Sequence, residues 1–332
     1  MEDPPEEGSP APVPTPPSPE AQIHHLVLSG GVHYGLCFFG VIKRLHERGR
    51  LDVKTLRSIH ATSAGSVTAA VLAAWRTAGS DPAPLDWTLL ENYLIQRPWQ
   101  KVFHFSLEVL LKSYEKGGLF DRTVIEEILR PIFAYRDLDI TKVTLREFYE
   151  VTQLELHFFT VNLLKFRIVD LSHTTHPDWR VLDAVYVSAA APGMFAPFWH
   201  ADTASWYADG AFLVHYPIRN GLQWCQEHQV PRTELLGINI LVSKKPTVVD
   251  TSPKMTLIQY FYLLTKNVLN KISLPEADED PDPAALAPCH HEIHIEVELH
   301  LENLYAAVMT QEERTRLIAW GAEHADRFIE GS

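Results

Sequence analysis

Ser63 stands between two small residues, Ala61 and Gly65, in the run Ile59-His60-Ala61-Thr62-Ser63-Ala64-Gly65-Ser66, where an apolar stretch passes into a helical pattern. A serine hydroxyl attacks an acyl carbon only where the backbone turns sharply enough to lift the oxygen clear, and small residues on either side permit that turn. Ser63 is therefore a candidate nucleophile, in a motif one methyl group away from G-x-S-x-G. Such a nucleophile needs donors for the oxyanion it creates. The run Gly30-Gly31-Val32-His33-Tyr34-Gly35 offers an oxyanion hole, through the amides of Gly30, Gly31 and Val32 backed by the N-terminus of the next helix. A nucleotide-hydrolase phosphate cradle would need Lys and then Ser or Thr after the last glycine, where Leu36 and Cys37 stand. A dinucleotide fingerprint would need G-x-G-x-x-G spacing, which Gly31 and Gly35 do not give. A plain tight turn is the remaining alternative, and the nearby serine favours the oxyanion reading.

A serine also needs a base. Asp209 lies at a predicted strand end in Trp206-Tyr207-Ala208-Asp209-Gly210-Ala211, and burial against Trp206 and Tyr207 would raise its basicity. A turn aspartate is the competing reading. Among the 17 histidines, only His33 and His60 flank the two turns, as polar lining or as chemical groups. The aromatics Trp87, Trp99, Phe103, Phe105, Phe195, Phe198 and Trp199 belong to the core in the commoner case, and otherwise line an acyl pocket or rest on a membrane. Cys289, His290, His291 and His294 do not share a strand face, so no metal and no cofactor is expected.

The elements that must position these groups are legible from periodicity. Residues 24–29 read as a buried strand, followed by the glycine loop and a helix whose apolar face carries Leu36, Phe39, Val41, Ile42 and Leu45, with Gly49 at the C-terminal cap. The unit recurs: 56–60 as strand, 61–65 as turn, and 67–78 as a small-residue helix stopped by Gly79. Two consecutive units imply a parallel sheet with both turns at one carboxyl edge, so the loop and Ser63 should be neighbours. Further on, 87–105 reads as irregular or helical cover and 117–121 as a turn into a helix over 123–134. Another helix starts at Thr144, and 155–171 forms a hairpin about 162–165. A helix over 182–190 breaks at Pro192, helices follow over 217–229, 255–272 and 312–329, and strands over 235–242 and 290–299.

With 332 residues and 46% hydrophobic side chains the chain can bury a full core. The formal charge of −13 is local, with five acids in residues 1–20 and five in 275–288. Without a basic stripe, a nucleic-acid surface is excluded. Residues 1–21, with eight prolines, read as a disordered tail, 22–330 as a single catalytic domain, and 275–288 as a mobile acidic loop. Three unpaired cysteines fit a reducing compartment. No basic-then-apolar leader and no stretch of roughly 18 apolar residues is present, so a cytoplasmic protein with peripheral membrane contact is expected. Its oligomeric state is not readable.

Four blocks occur in the order and spacing of the patatin-like phospholipases: Leu26-Val27-Leu28-Ser29-Gly30-Gly31 through Gly35 and Gly40-Val41-Ile42; Thr62-Ser63-Ala64-Gly65; Ser188-Ala189-Ala190-Ala191-Pro192-Gly193-Met194-Phe195-Ala196-Pro197; and Tyr207-Ala208-Asp209-Gly210-Ala211. The chain resembles that family from about 22 to 330, and Leu317 to Ala322 looks like its closing helix. The resemblance implies a three-layer α/β/α fold on a central, mostly parallel sheet. It also implies a Ser63–Asp209 dyad without histidine, an oxyanion hole in the amides after Gly30, and hydrolysis of acyl esters in phospholipid or neutral lipid. His33, Tyr34, His60 and Phe195 are then candidate pocket-lining residues. The chain departs from the family pattern at Val32, where a third glycine is usual, at Tyr34, where a cation is usual, at Ala61, and at His215-Tyr216-Pro217, where Asn-x-Pro is common. A β-branched residue resists unusual backbone angles, so Val32 is expected to slow the site. Losing the cation at position 34 would tilt preference toward neutral esters. A lipid-binding protein of low activity and a transacylase are the alternatives.

Overall fold

A computed structural model describes residues 22–76, 85–104, 106–242, 289, 291–298 and 300–331. The N-terminal tail, the helix end at 77–78 with its stop at Gly79, the loop 81–84, Phe105, the helix expected over 255–272 and the acidic loop 275–288 lie outside the described residues.

The two strand-loop-helix units form as expected: β1 (His25–Leu28) with α1 (Gly35–Glu47), and β2 (Ser58–Thr62) with α2 (Ala64–Trp75). Gly49 takes φ +71 just past α1, the left-handed conformation in which a helix is commonly ended. β2 runs two residues further than its apolar run suggests, so the turn shrinks to Ser63 itself. Helical cover follows as α3 (Trp87–Gln96), α4 (Trp99–Val102) and α5 (Leu107–Lys116), the last absent from the sequence reading. Residues expected as a turn form β3 (Gly118–Phe120), ahead of α6 (Arg122–Ala134). α7 (Leu145–Thr152) starts on a reciprocal cap between Thr144 and Glu147.

The central hairpin is β4 (Glu155–Asn162) and β5 (Arg167–Leu171). After α8 (Val181–Ala189) come β6 (Gly193–Phe195), β7 (Phe198–His200) and β8 (Ser205–Asp209). β6 pairs with β3 as a small parallel sheet that lone-strand patterning could not reveal. The chain continues through α9 (Ile218–Glu227), β9 (Leu235–Val242), β10 (His291–Val297), α10 (Leu301–Met309) and α11 (Gln311–Glu330).

The main sheet has the order β10-β9-β1-β2-β4-β8-β7, with β5 also on β4. The first five strands are parallel; β5, β7 and β8 run antiparallel to their neighbours. One face buries Leu26, Leu28, Ile59, Leu236 and Ile238 in the large core with α1, α2, α8 and α11. The other buries Val27 and Leu235 under Leu222 and Cys225 of α9. The result is three layers, α/β/α. α1 and α11 cross so closely at Gly40 and Gly321 that a methyl group at either would strike the other helix's backbone.

Candidate active site

β2 and β8 lie along the same edge of β4 and run toward each other. Residues Phe158 to Asn162 use their other edge for β5, so β2 takes the near edge as far as Thr62 opposite Phe159, and β8 takes it from Asp209 opposite Thr160. The two strands end head to head, with Ser63 at the end of one and Asp209 at the end of the other. Ser63 Oγ donates to Asp209 Oδ2 at 2.7 Å. The pair is 146 residues apart in sequence and almost wholly buried, with Ser63 7% and Asp209 2% exposed.

Ser63 takes φ 56 and ψ −122, a left-handed conformation that costs a non-glycine residue about 1–3 kcal/mol. Three features hold it there. Its N–H donates to Ser188 Oγ at 3.2 Å, and Ser188 in turn donates to the Phe159 carbonyl at 2.7 Å. Ser66 Oγ lies 2.7 Å from Ser188 Oγ and 3.1 Å from the Ala61 carbonyl, closing a buried hydroxyl network beneath the elbow. Gly65 approaches β1 so nearly that a Cβ there would sit 2.7 Å from the Ser29 carbonyl, which is why that position has no side chain. The same contact brings the elbow against the start of the glycine loop. Ser188 and Ser66 escaped the sequence reading as supports of the elbow, although a serine within each of two apolar, buried helices was the available signal.

Asp209 Oδ1 accepts the Ala211 N–H at 2.8 Å, so each carboxylate oxygen has one donor. Burial nevertheless dominates and pushes its pKa up to about 7, against the two hydrogen bonds. Trp206 does not supply that burial. It lies on the opposite strand face from Asp209, 40% exposed, with its ring 5.4 Å from Trp199.

The glycine loop is anchored at three points. Gly30 N–H donates to the His215 carbonyl at 2.9 Å, Ser29 Oγ donates to the Gly30 carbonyl at 2.7 Å, and Ser29 Oγ accepts Ile240 N–H at 2.8 Å. The Gly30 amide is thereby used internally, which removes it from the expected oxyanion set. The amides of Gly31 and Val32 have no partner among the described residues. Val32 takes φ 51, the left-handed region in which a β-branched residue is most strained. His215, in place of the usual asparagine, keeps the loop supported: its Nε2 bonds the Ile240 carbonyl at 3.0 Å and its ring packs on Gly30.

The candidate lining residues scatter. Tyr34 turns away, with its hydroxyl donating to the Glu298 carbonyl at 2.7 Å and accepting from Asn303 at 3.3 Å, so no cation at this position would face the dyad from the same place. The His33 ring lies against Tyr34, tilted by 36° with centroids 4.1 Å apart, and burial lowers its pKa to about 4. His60 lies on the α9 face of β2, stacked on His157 at 4.4 Å and edge-on to Trp224 at 5.5 Å, in a buried cluster remote from the elbow's face. Phe195 is core, packed with Phe120 and Tyr186. A cleft bordered by Arg97, Glu126, Glu127 and Arg130 holds paired charges, and the hydroxyl of Thr123 on its wall donates to Asp121. No group of three or more His, Cys, Asp or Glu that could hold a metal is found among the described residues. Nor is any described helix long and apolar enough to cross a membrane.

The chain is 25% identical over 208 residues to an uncharacterized protein of Acanthamoeba polyphaga mimivirus, covering 60% of this chain and 61% of that protein. It is 23% identical over 221 residues to a protein named probable lipid hydrolase in Invertebrate iridescent virus 6, covering 66% of this chain and 70% of that one. The chain thus spans about three fifths of the first relative's length. Among solved structures it resembles VipD from Legionella pneumophila, with TM-score 0.48 and 15% identity over 95% of this chain and 67% of that one. It also resembles the type III effector ExoU, with TM-score 0.40 and 14% identity over 93% and 53%. The sequence profile of the patatin-like phospholipases matches residues 26–220, more than half of the chain and the span from Leu26 in β1 through Asp209, and the protein belongs to that family.

Proposed function

We propose that the chain is a serine lipid acyl hydrolase, of phospholipase A or lipid esterase type, working through a Ser63–Asp209 dyad. The observation that carries this reading is the 2.7 Å bond from Ser63 Oγ to a carboxylate buried at the end of the facing strand. In the first step Asp209 takes the hydroxyl proton while Ser63 Oγ bonds to the ester carbonyl carbon. The carbonyl oxygen becomes an oxyanion facing the amides of Gly31 and Val32, each such donor being worth about 3 kcal/mol. Collapse expels the alcohol, which takes the proton back from Asp209 and leaves an acyl-enzyme. Water, deprotonated by Asp209, then releases the fatty acid. The pKa near 7 places the base close to neutral pH, where proton transfer is best matched. Family membership and the named function of the iridescent virus relative agree with lipid as the substrate class.

A fluorophosphonate probe should label the wild-type serine and fail on Ser63→Ala. Labelling that survives the substitution sinks the assignment. Release of acyl groups to an added alcohol in preference to water would instead identify a transacylase.

A further inference from the structure

Two hairpin ends project from the sheet edge that carries the dyad. Leu163 N–H donates to the Trp206 carbonyl at 2.8 Å, which ties the β4–β5 turn to the outer end of β8. Trp206 is three residues beyond Asp209, and Leu163 three beyond Thr160, so both stand about 10 Å above the dyad along the strands. What they present is unusual for a solvated turn. Leu163 is 39% exposed, Leu164 63%, Phe166 67%, Trp199 44% and Trp206 40%. The two tryptophans are cross-strand partners with rings 5.4 Å apart.

The turn is built, not loose. Asn162 Oδ1, on a buried side chain, accepts the N–H groups of Leu164 at 3.1 Å and Lys165 at 3.0 Å. Phe166 is held at φ 45, so an aromatic residue carries backbone strain in order to face solvent. Polar turn residues would cost less on both counts. The charges on this edge are Lys165 and Arg167, with Asp202 as the single acid across 162–168 and 199–206, a net of +1 on a chain of −13.

We propose that this edge docks on a bilayer carrying anionic headgroups and seats the dyad at the lipid surface. Leucine and phenylalanine enter the acyl boundary, exposed tryptophans lie at headgroup level, and Lys165 and Arg167 meet the lipid phosphates. A second copy of the chain fits worse. Its Lys165 and Arg167 would meet the same two cations of the facing copy, with Asp202 as the single acid to offset them, whereas anionic headgroups complement both. The inference deepens the lipid acyl hydrolase reading, and its binding half stands without catalysis.

The test uses the full chain carrying Ser63→Ala, so that no substrate is consumed, sedimented with vesicles of mixed phosphatidylcholine and phosphatidylserine. Wild-type surface should pellet with them, and Leu164→Asp with Phe166→Asp should weaken binding about tenfold or more. Lys165→Glu with Arg167→Glu should weaken it on mixed vesicles and much less on phosphatidylcholine alone. The same substitutions with Ser63 intact should leave melting temperature and hydrolysis of a short water-soluble ester unchanged, which excludes misfolding. Undiminished sedimentation of the Leu164/Phe166 variant overturns the proposal, as does a wild-type dimer that the variant converts to monomer. Soluble ester cleaved without vesicle binding defeats this inference alone; tip-dependent vesicle binding with no ester cleaved defeats only the hydrolase reading.

Discussion

The Gly30 amide donates to the His215 carbonyl at 2.9 Å, and the His215 ring packs on Gly30 while bonding the Ile240 carbonyl through Nε2. One residue therefore fixes the start of the glycine loop from two sides. The donors proposed for the oxyanion, the amides of Gly31 and Val32, follow at once and inherit that position. A loop so placed acts by preorganisation: its amides do not reorient when charge develops.

His215→Ala keeps the backbone bond and removes the ring. The loop keeps its backbone anchors but loses the ring packed on Gly30, and a misplacement of about 1 Å can cost a factor of about 100. The expected result is a fall of 10- to 100-fold in kcat with a smaller change in KM, measured on a soluble ester. A change confined to KM would show that the ring shapes substrate binding and not the donors.

Val32 holds φ 51 with its side chain 36% exposed. Left-handed backbone costs a β-branched residue about 1–2 kcal/mol, and glycine gives back about 0.5–1 kcal/mol of it as unfolded-state entropy. Val32→Gly should therefore raise stability by about 0.5–1 kcal/mol in thermal unfolding, and kcat should hold or rise because the amide relaxes into its preferred geometry. A lower melting temperature would mean that the valine side chain contributes packing that outweighs the strain.

Asp209 titrates near 7 because burial outweighs its two hydrogen bonds. Only the carboxylate can accept the Ser63 proton, so kcat/KM should rise with pH through about 7 and then level. Stability moves the other way. The unfolded group has a pKa of about 3.9, so between about pH 4 and 7 the unfolded chain loses its proton first and the native state is disfavoured as pH rises. Asp209→Asn removes that charge. It should abolish turnover and, at pH 8, stabilise the fold by about 1–4 kcal/mol relative to wild type. Equal melting temperatures at pH 8 would show that the carboxylate is better solvated than its burial implies.

Ser63, Asp209 and the neighbourhood of loop and elbow could be read from the sequence because each rests on local patterning: an apolar run, a small-residue turn, a helix of period 3.6. The meeting of β2 and β8 end to end along β4 could not, since it depends on which edge of β4 each strand takes, and no local period encodes that. The same limit hid the β3–β6 pairing and the consumption of the Gly30 amide. Tyr34 and His60 were misplaced for a different reason. Each lies within three residues of a chemical group, yet one helical step or one strand position turns a side chain to another layer. Position 34 faces α10 and α11, and position 60 faces α9.

His157 turns that misplaced cluster into a measurable stability term. Its ring is buried between Asp170 Oδ2 at 2.8 Å from Nδ1 and Glu155 Oε1 at 3.0 Å from Nε2. Burial alone would lower its pKa, but the two carboxylates prevail and hold it up at about 9. His60, stacked on it, and His25 are kept neutral by burial and titrate below the usual histidine range. With an unfolded value of about 6.5, the charged His157 contributes its full stabilisation below that pH and loses it as pH rises toward 9. The carboxylates are 20% and 34% exposed, so the contribution is discounted to about 1–3 kcal/mol. His157→Gln should melt well below wild type at pH 6.5, and the gap should close by pH 9.5. That window lies above the one in which Asp209 acts, so the two terms separate in a single pH series. A gap that stays constant from pH 6.5 to 9.5 would assign the loss to packing against His60 and leave the ion pair without net weight.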